Sequence, residues 1–385
     1  MSGLLPARPR PEPGEILTSW LARLAIENGT SFGRLIAACV ADTHYPSLDL
    51  DQHLPTPLLH GLALRTGLAP EVVRRTTLTP LMERYIGKRQ RHGAYRWFMP
   101  VHPVRQRFTM HGQQLCPDCL AEDAVPHYRQ IWRMSLVTVC PLHRCLLLDA
   151  CPACGAPVDQ RLSCDSRAPH HEQESLAYCG VCALDYRSLA WTSFDPLPTR
   201  QLRLEIWGPG ITQKPSNGRL GKIALEGEVS RLISWQQSVL APLEGRWIAI
   251  GGLCAETRSY LDTCRHLLRA LTYDSRTLAF RREVSKRSGF PSTSLVETNR
   301  LKFERSPVRV RYANLQNLTW ILGDWPIRFQ ECAQSLDRPP YGLLSRAEAI
   351  AFPPWYENQC MLAISSYSRE IQTVLLKINK KVRAR

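Results

Sequence analysis

Residues 116–155 read CPDCLAEDAVPHYRQIWRMSLVTVCPLHRCLLLDACPACG, with six of the chain's 14 cysteines. Three of the six are followed by proline. Extended to residue 182, the region contains four two-residue knuckles: Cys116 with Cys119, Cys140 with His143, Cys151 with Cys154, and Cys179 with Cys182. A C-x-x-C or C-x-x-H turn lets two ligands reach one tetrahedral ion at ~2.0–2.3 Å. Pairing neighbours gives C-x2-C-x20-C-x2-H and C-x2-C-x24-C-x2-C, close to zinc-ribbon spacing. A cross-brace would instead join the first knuckle to the third and the second to the fourth. The short link RCLLLDA (144–150) suits a strand between adjacent ribbons and favours sequential pairing. Cys145 and Cys164 stand as substitute ligands or as small buried hydrophobes; His170 and His171 read as loop residues.

Ligand number then points to function. A catalytic zinc usually keeps an open position for water, whereas eight ligands saturate two ions. Two structural zinc ions per chain are therefore expected, supplying folding free energy to a segment too polar to build a core of its own. The chain has no H-E-x-x-H, G-x-x-x-x-G-K-[ST], G-x-G-x-x-G or G-x-S-x-G motif, and the reading is that it is not an enzyme.

Composition agrees with a reduced compartment and a polyanionic partner. The opening MSGLLPARPRPEPGE has no apolar run of a secretory leader, and no stretch reaches the ~18 apolar residues of a membrane span. A cytoplasmic protein with no membrane partner is expected, in which thiols read as metal ligands before disulfides. Lys and Arg number 49 against 34 Asp and Glu, a net charge of +15, which favours nucleic acid. No acidic residue lies between Glu83 and Asp118, while Lys88, Arg89, Arg91 and Arg96 do. A second basic cluster holds Arg281, Arg282, Lys286, Arg287, Arg300 and Lys302. Either cluster would serve nucleic acid or a protein partner.

Outward from the cysteines the pattern is helical. In PGEILTSWLARLAIENG (13–29), Leu17, Trp20, Leu21 and Leu24 share a face and Asn28-Gly29 ends the helix. Thr30 or Ser31 can cap a second helix. Residues 55–78 have the form helix, Gly67 turn, helix, compatible with a helix-turn-helix offering Arg74 and Arg75 to a groove. A plain helical hairpin reads the same way. Residues 280–303 repeat the form, WIAIGGLCA (247–255) reads as a core strand or helix, and SLVTV (135–139) as β-rich. The fold class expected is mainly α with a small zinc-ribbon α+β region. The domains expected are a helix-turn-helix-like domain at 10–107, tandem ribbons at 108–192, a linker at 193–222 and a C-terminal helical domain at 223–385.

The helix P-x-x-G-E-x-L-x-S-W-L-x-R-L-A (13–25 and its flank), the knuckle C-P-x-C-L-x-E-D, Tyr128 and Trp132, then C-P-x-H and C-P-x-C-G, occur in an order that resembles the TniQ family, which includes the related TnsD target selectors of bacterial transposons. The C-terminal half matches more loosely, through ILGDWPIRF (321–329) and GLLSRAEAIAFPPWY (342–356). The resemblance implies a non-catalytic target-selection adaptor in a bacterial, nucleoid-associated setting. It would couple a target, either a DNA attachment site or, in members that are often dimers, an RNA-guided CRISPR Cascade complex, to an AAA+ transposition ATPase and transposase; a homodimer is one arrangement this implies. It also implies one zinc on Cys116, Cys119, Cys140 and His143 and another on Cys151, Cys154, Cys179 and Cys182. The alternative class is a stand-alone zinc-containing transcription regulator that binds target DNA by sequence.

Overall fold

A computed structural model describes residues 3–40, 48–86, 97–101, 112–163, 175–189, 220–240, 247–250, 253–272, 277–290, 303–337, 341–344 and 352–367. The chain divides into two compact units, Met1–Pro209 with Leu301–Arg311, and Gly210–Arg300 with Tyr312–Arg385. It is mainly helical, and among the described residues the only sheet is a two-stranded hairpin.

The first unit begins with α1 (Leu17–Glu27) and α2 (Phe32–Cys39). The expected apolar face of α1 is buried, but so are Thr18, Ser19 and Arg23, so this helix is enclosed on its polar side as well. Buried polar groups must be paired, and these are. Ser19 and Arg23 donate to the Glu15 carboxylate at 2.7 and 2.6 Å. Thr18 donates through its amide and hydroxyl to Asp51, which also takes a 2.6 Å hydrogen bond from Arg133. A sequence with residues 18, 51 and 133 so placed has its N-terminal helix fixed to the segment between the first two knuckles.

The punctuation of these helices follows the sequence. Asn28 and Gly29, the latter at φ 60°, stop α1, and Ser31 accepts from the Arg34 amide to cap α2. Next come α3 (Thr56–Thr66) and α4 (Pro70–Arg75), separated by Gly67 at φ 73°, then α5 (Thr79–Ile86). The helix-turn-helix form is therefore present in outline, with a second helix of only six residues.

In the cysteine region α6 (Pro117–Glu122) is followed by extended chain and turns. SLVTV (135–139) opens in a turn and forms no strand: Val139 makes an isolated bridge to Leu146, and just before the stretch Met134 makes another to Phe98. The expected linker residues 193–219 lie outside the described residues; helix α7 (Leu220–Leu240) begins within its last three positions.

The second unit contains α7, strands β1 (Trp247–Ile250) and β2 (Leu253–Glu256), α8 (Thr257–Thr272), α9 (Leu278–Ser288), the greater part of α10 (Val308–Gly323), α11 (Ile327–Gln334) and α12 (Pro354–Ser365). The strands are antiparallel with Trp247 opposite Glu256, so WIAIGGLCA resolves to a hairpin. Helix α8 buries Tyr260, Leu261, Cys264, Leu267, Leu268 and Leu271, spaced three and four apart as an amphipathic helix requires. His266 packs edge-on against Phe352 and Tyr356, its centroid 4.7 Å from that of Phe352, and Trp325 and Phe329 extend the cluster through Tyr356. Among the described residues no helix is long and apolar enough to cross a membrane.

Candidate metal centres

Three of the four knuckles are the same turn. In each, the amide of the first cysteine donates to the carbonyl five residues on: Cys140 to Cys145, Cys151 to Ala156 and Cys179 to Leu184, at 2.7–2.9 Å. In each, the amide four residues on donates back to that cysteine, from Arg144, Gly155 and Ala183 at 2.8–2.9 Å. Those three residues have φ of 54°, 72° and 62°, the left-handed region that costs a non-glycine residue roughly 1–2 kcal/mol. Only Gly155 meets that demand without a Cβ. The remaining knuckle is built differently: Cys116 precedes α6, Pro117 opens the helix where no amide is needed, and Cys119 lies one turn in. The last knuckle has Gly180 where the other three have proline. A Cβ there would come within 2.8 Å of the Leu162 carbonyl carbon, so the close approach of the backbone selects glycine.

These turns bring together two four-ligand clusters, each with its ligand atoms within 4.8 Å of one another: Cys116, Cys119, Cys140 and His143, and Cys151, Cys154, Cys179 and Cys182. The pairing is sequential, as the link at 144–150 suggested, and none of these cysteines is in a disulfide. In the first cluster Nδ1 of His143 lies 3.5, 3.4 and 3.5 Å from the sulfurs of Cys116, Cys119 and Cys140, and the Cys119 and Cys140 sulfurs are 3.7 Å apart. A tetrahedral ion with ordinary zinc–ligand distances requires edges of about 3.6 Å between sulfur and nitrogen and about 3.8 Å between sulfurs. In the second cluster Cys151 and Cys182 are 3.6 Å apart, and Cys154 and Cys179 3.8 Å. Both donor sets fit the ion.

The far side of His143 is also prepared. Its Nε2 is 2.9 Å from Glu122, on the last turn of α6, the carboxylate partner that fixes tautomer and ring direction in ligating histidines. The electrostatics show why such a donor set calls for a cation. Burial pushes the Cys116 thiol up, and hydrogen bonding with Cys116 and Cys140 does the same to Cys119. Cys140 is held far below an ordinary thiol by hydrogen bonds with Cys116 and Cys119, and His143 is raised to about 11 by Cys119 and Cys140. A divalent ion held here would convert all three sulfurs to thiolates. In the second cluster burial pushes Cys151 up to about 12. At Cys179 burial also raises the thiol, but the amides of Cys182 and Val181 outweigh it and bring it down to about 7.

The centres differ in cover. Three ligands of the first are buried and His143 is half-buried, whereas Cys154 and Cys182 of the second are exposed. The first is held from behind by a segment of the chain far away in sequence. Arg311, fully buried, donates to the carbonyls of Ser306 and Ser135 at 2.9 Å and to Oε1 of Gln114 at 3.1 Å, two residues before Cys116. Asp149, two residues before Cys151, accepts from the Val308 amide at 2.5 Å and lies 3.7 Å from Arg311. Burial draws the Arg311 guanidinium down to about 10 against the pull of Asp149 and Glu304, so it stays charged at neutral pH. Sequence reading missed this support, since no local pattern links residues 114, 135 and 149 to 311. Glu122 carried a readable signal, three residues beyond Cys119 on a helical turn.

Of the expected basic contact residues, Arg74 and Arg75 are exposed on α4, Arg74 lying 3.8 Å from Glu71. Arg282 and Lys286 are exposed on α9. Arg287 is exposed and pairs with Glu283 and Glu331 at 2.6 and 3.2 Å. Arg281 departs from the expected basic face: it is buried, its guanidinium donating to the Thr272 carbonyl. Lys88, Arg89, Arg91, Arg96, Arg300 and Lys302 lie outside the described residues, as does the second helix expected in 280–303.

Residues 6–147 match the TniQ family model. That span takes in α1 to α6 and the whole first metal cluster and ends before the second. No curated protein matches the chain.

Proposed function

We propose, from the match of residues 6–147 to the TniQ family model, that the chain is a TniQ-family protein and a non-catalytic target-selection adaptor linking a target to an AAA+ transposition ATPase and its transposase. The family is one of transposon-associated target selection, which gives the general role. The observation that carries the specific reading is the closure of both metal clusters. Each offers four protein ligands and so leaves no position for water or substrate, which is the ligand count of a structural ion. We take the ion to be zinc, given tetrahedral spacing and sulfur-rich donors.

In this reading the target is an RNA-guided Cascade complex or a DNA attachment site, and the protein works in the bacterial cytoplasm at the nucleoid, as a homodimer. The organisation we favour is a helical domain at 10–107, ribbons at 108–192, a linker at 193–222 and a helical domain at 223–385. Arg74, Arg75, Arg282 and Lys286, all exposed, together with the basic residues of 88–96, would meet phosphate or an acidic partner surface.

Binding assays with purified components test this. An adaptor binds DNA weakly by itself and tightly once the ATPase or a guide complex is added. High-affinity recognition of one operator sequence by the chain alone would instead identify a transcription regulator.

A further inference from the structure

We infer that Cys145 is a reserve fourth ligand of the first metal centre, able to take the place of His143. The inference rests on the reading that this cluster holds zinc. The Cys145 sulfur is 3.5 Å from that of Cys116 and 3.5 Å from Oδ2 of Asp118, and the three ligand atoms form a second group within 4.8 Å sharing Cys116 with the first. A thiol therefore already touches a sulfur of the metal set from just outside it.

The turn gives the thiol this position. Cys145 holds the place whose carbonyl accepts from the first cysteine of the knuckle, and the equivalents in the two sister turns are Ala156 and Leu184, which have no ligand atom. Only the turn that supplies a histidine ligand has a thiol there. The Cys145 backbone is pinned at 2.8 Å to the Cys140 amide, so exchange needs side-chain rotation alone. Moving a sulfur between staggered positions about Cα–Cβ displaces it by roughly 3 Å, a step comparable to the spacing of ligand atoms around one ion. His143, half-buried and joined to exposed Glu122, can swing outward with its partner.

Charge sets the order of preference. A fourth thiolate would add a negative charge beside the buried Asp118 carboxylate, whereas a neutral imidazole adds none. His143 is thus the resident ligand and Cys145 the one that retains the ion when the imidazole is lost.

Cobalt-loaded full-length chain tests this through metal count and sulfur-to-cobalt charge-transfer absorption. The wild type should bind two ions through seven thiolates. His143→Ala should still bind two, with charge-transfer intensity up by roughly one-seventh from the eighth thiolate. His143→Ala with Cys145→Ser should bind one. Cys145→Ser alone should bind two with unchanged intensity; a fall would make Cys145 resident and overturn the reserve role. A His143→Ala chain that binds one ion, or is insoluble, also overturns it. Fewer than two ions in the wild type would instead strike at the zinc reading itself.

Discussion

Cys179→Ser is expected to lose one of two metal ions and to unfold residues 151–163 and 175–189. The segment has few means of holding itself: among its described residues the buried apolar side chains are few, chiefly Ala156, Val158, Leu176, Ala177 and Tyr186. Among those described residues the regular structure is one short 3-10 turn, Tyr186–Leu189. A structural zinc site is worth on the order of 10 kcal/mol of folding free energy, comparable to the whole stability of a typical domain. Removing one of four thiolates leaves an open position and should cost about 5 kcal/mol, the range reached when a metal site is lost. Denaturant unfolding with zinc present measures the cost, and limited proteolysis should show new cleavage within 151–163 and 175–189. A variant with wild-type stability and two ions would remove Cys179 from the ligand set.

Arg311→Met is expected to destabilise the first unit by about 3–5 kcal/mol, the usual cost of breaking a buried ion pair by deleting one partner. Methionine fills much of the volume but supplies none of the donors now satisfying Ser135, Ser306 and Gln114. Asp149 would keep the Val308 amide and lose its cation. Chemical unfolding of the zinc-loaded protein should show the midpoint falling, with partial recovery on adding Asp149→Asn. An unchanged midpoint would mean the guanidinium is merely accommodated.

These two variants probe parts of the molecule that were unequally legible in the sequence. The ligands of Cys179 and its partners were readable because a knuckle is a local object: two residues three apart, a turn between them, and a fixed metal radius. For the same reason the Ser31 cap, the Asn28-Gly29 stop and the left-handed Gly67 could be placed from a few neighbouring residues. Arg311 could not, because its partners Ser135 and Gln114 lie 176 and 197 residues away and nothing in either segment's periodicity refers to the other. The burial of Arg281 is a related case. A basic run marks a charged face only if every side chain points outward, and on α9 the helical rotation turns Arg281 inward while leaving Arg282 exposed. The polar side of α1 was likewise invisible, since Thr18 and Arg23 become core residues through Asp51 and Glu15.

Two closed, four-ligand metal sites in one chain are tested most directly by the zinc content of full-length protein purified without chelator, by elemental analysis against protein concentration. Two zinc ions per chain are predicted, one for each cluster. Finding none, or an ion lost on simple dialysis with the fold intact, would contradict the claim that these cysteines exist to hold structural metal.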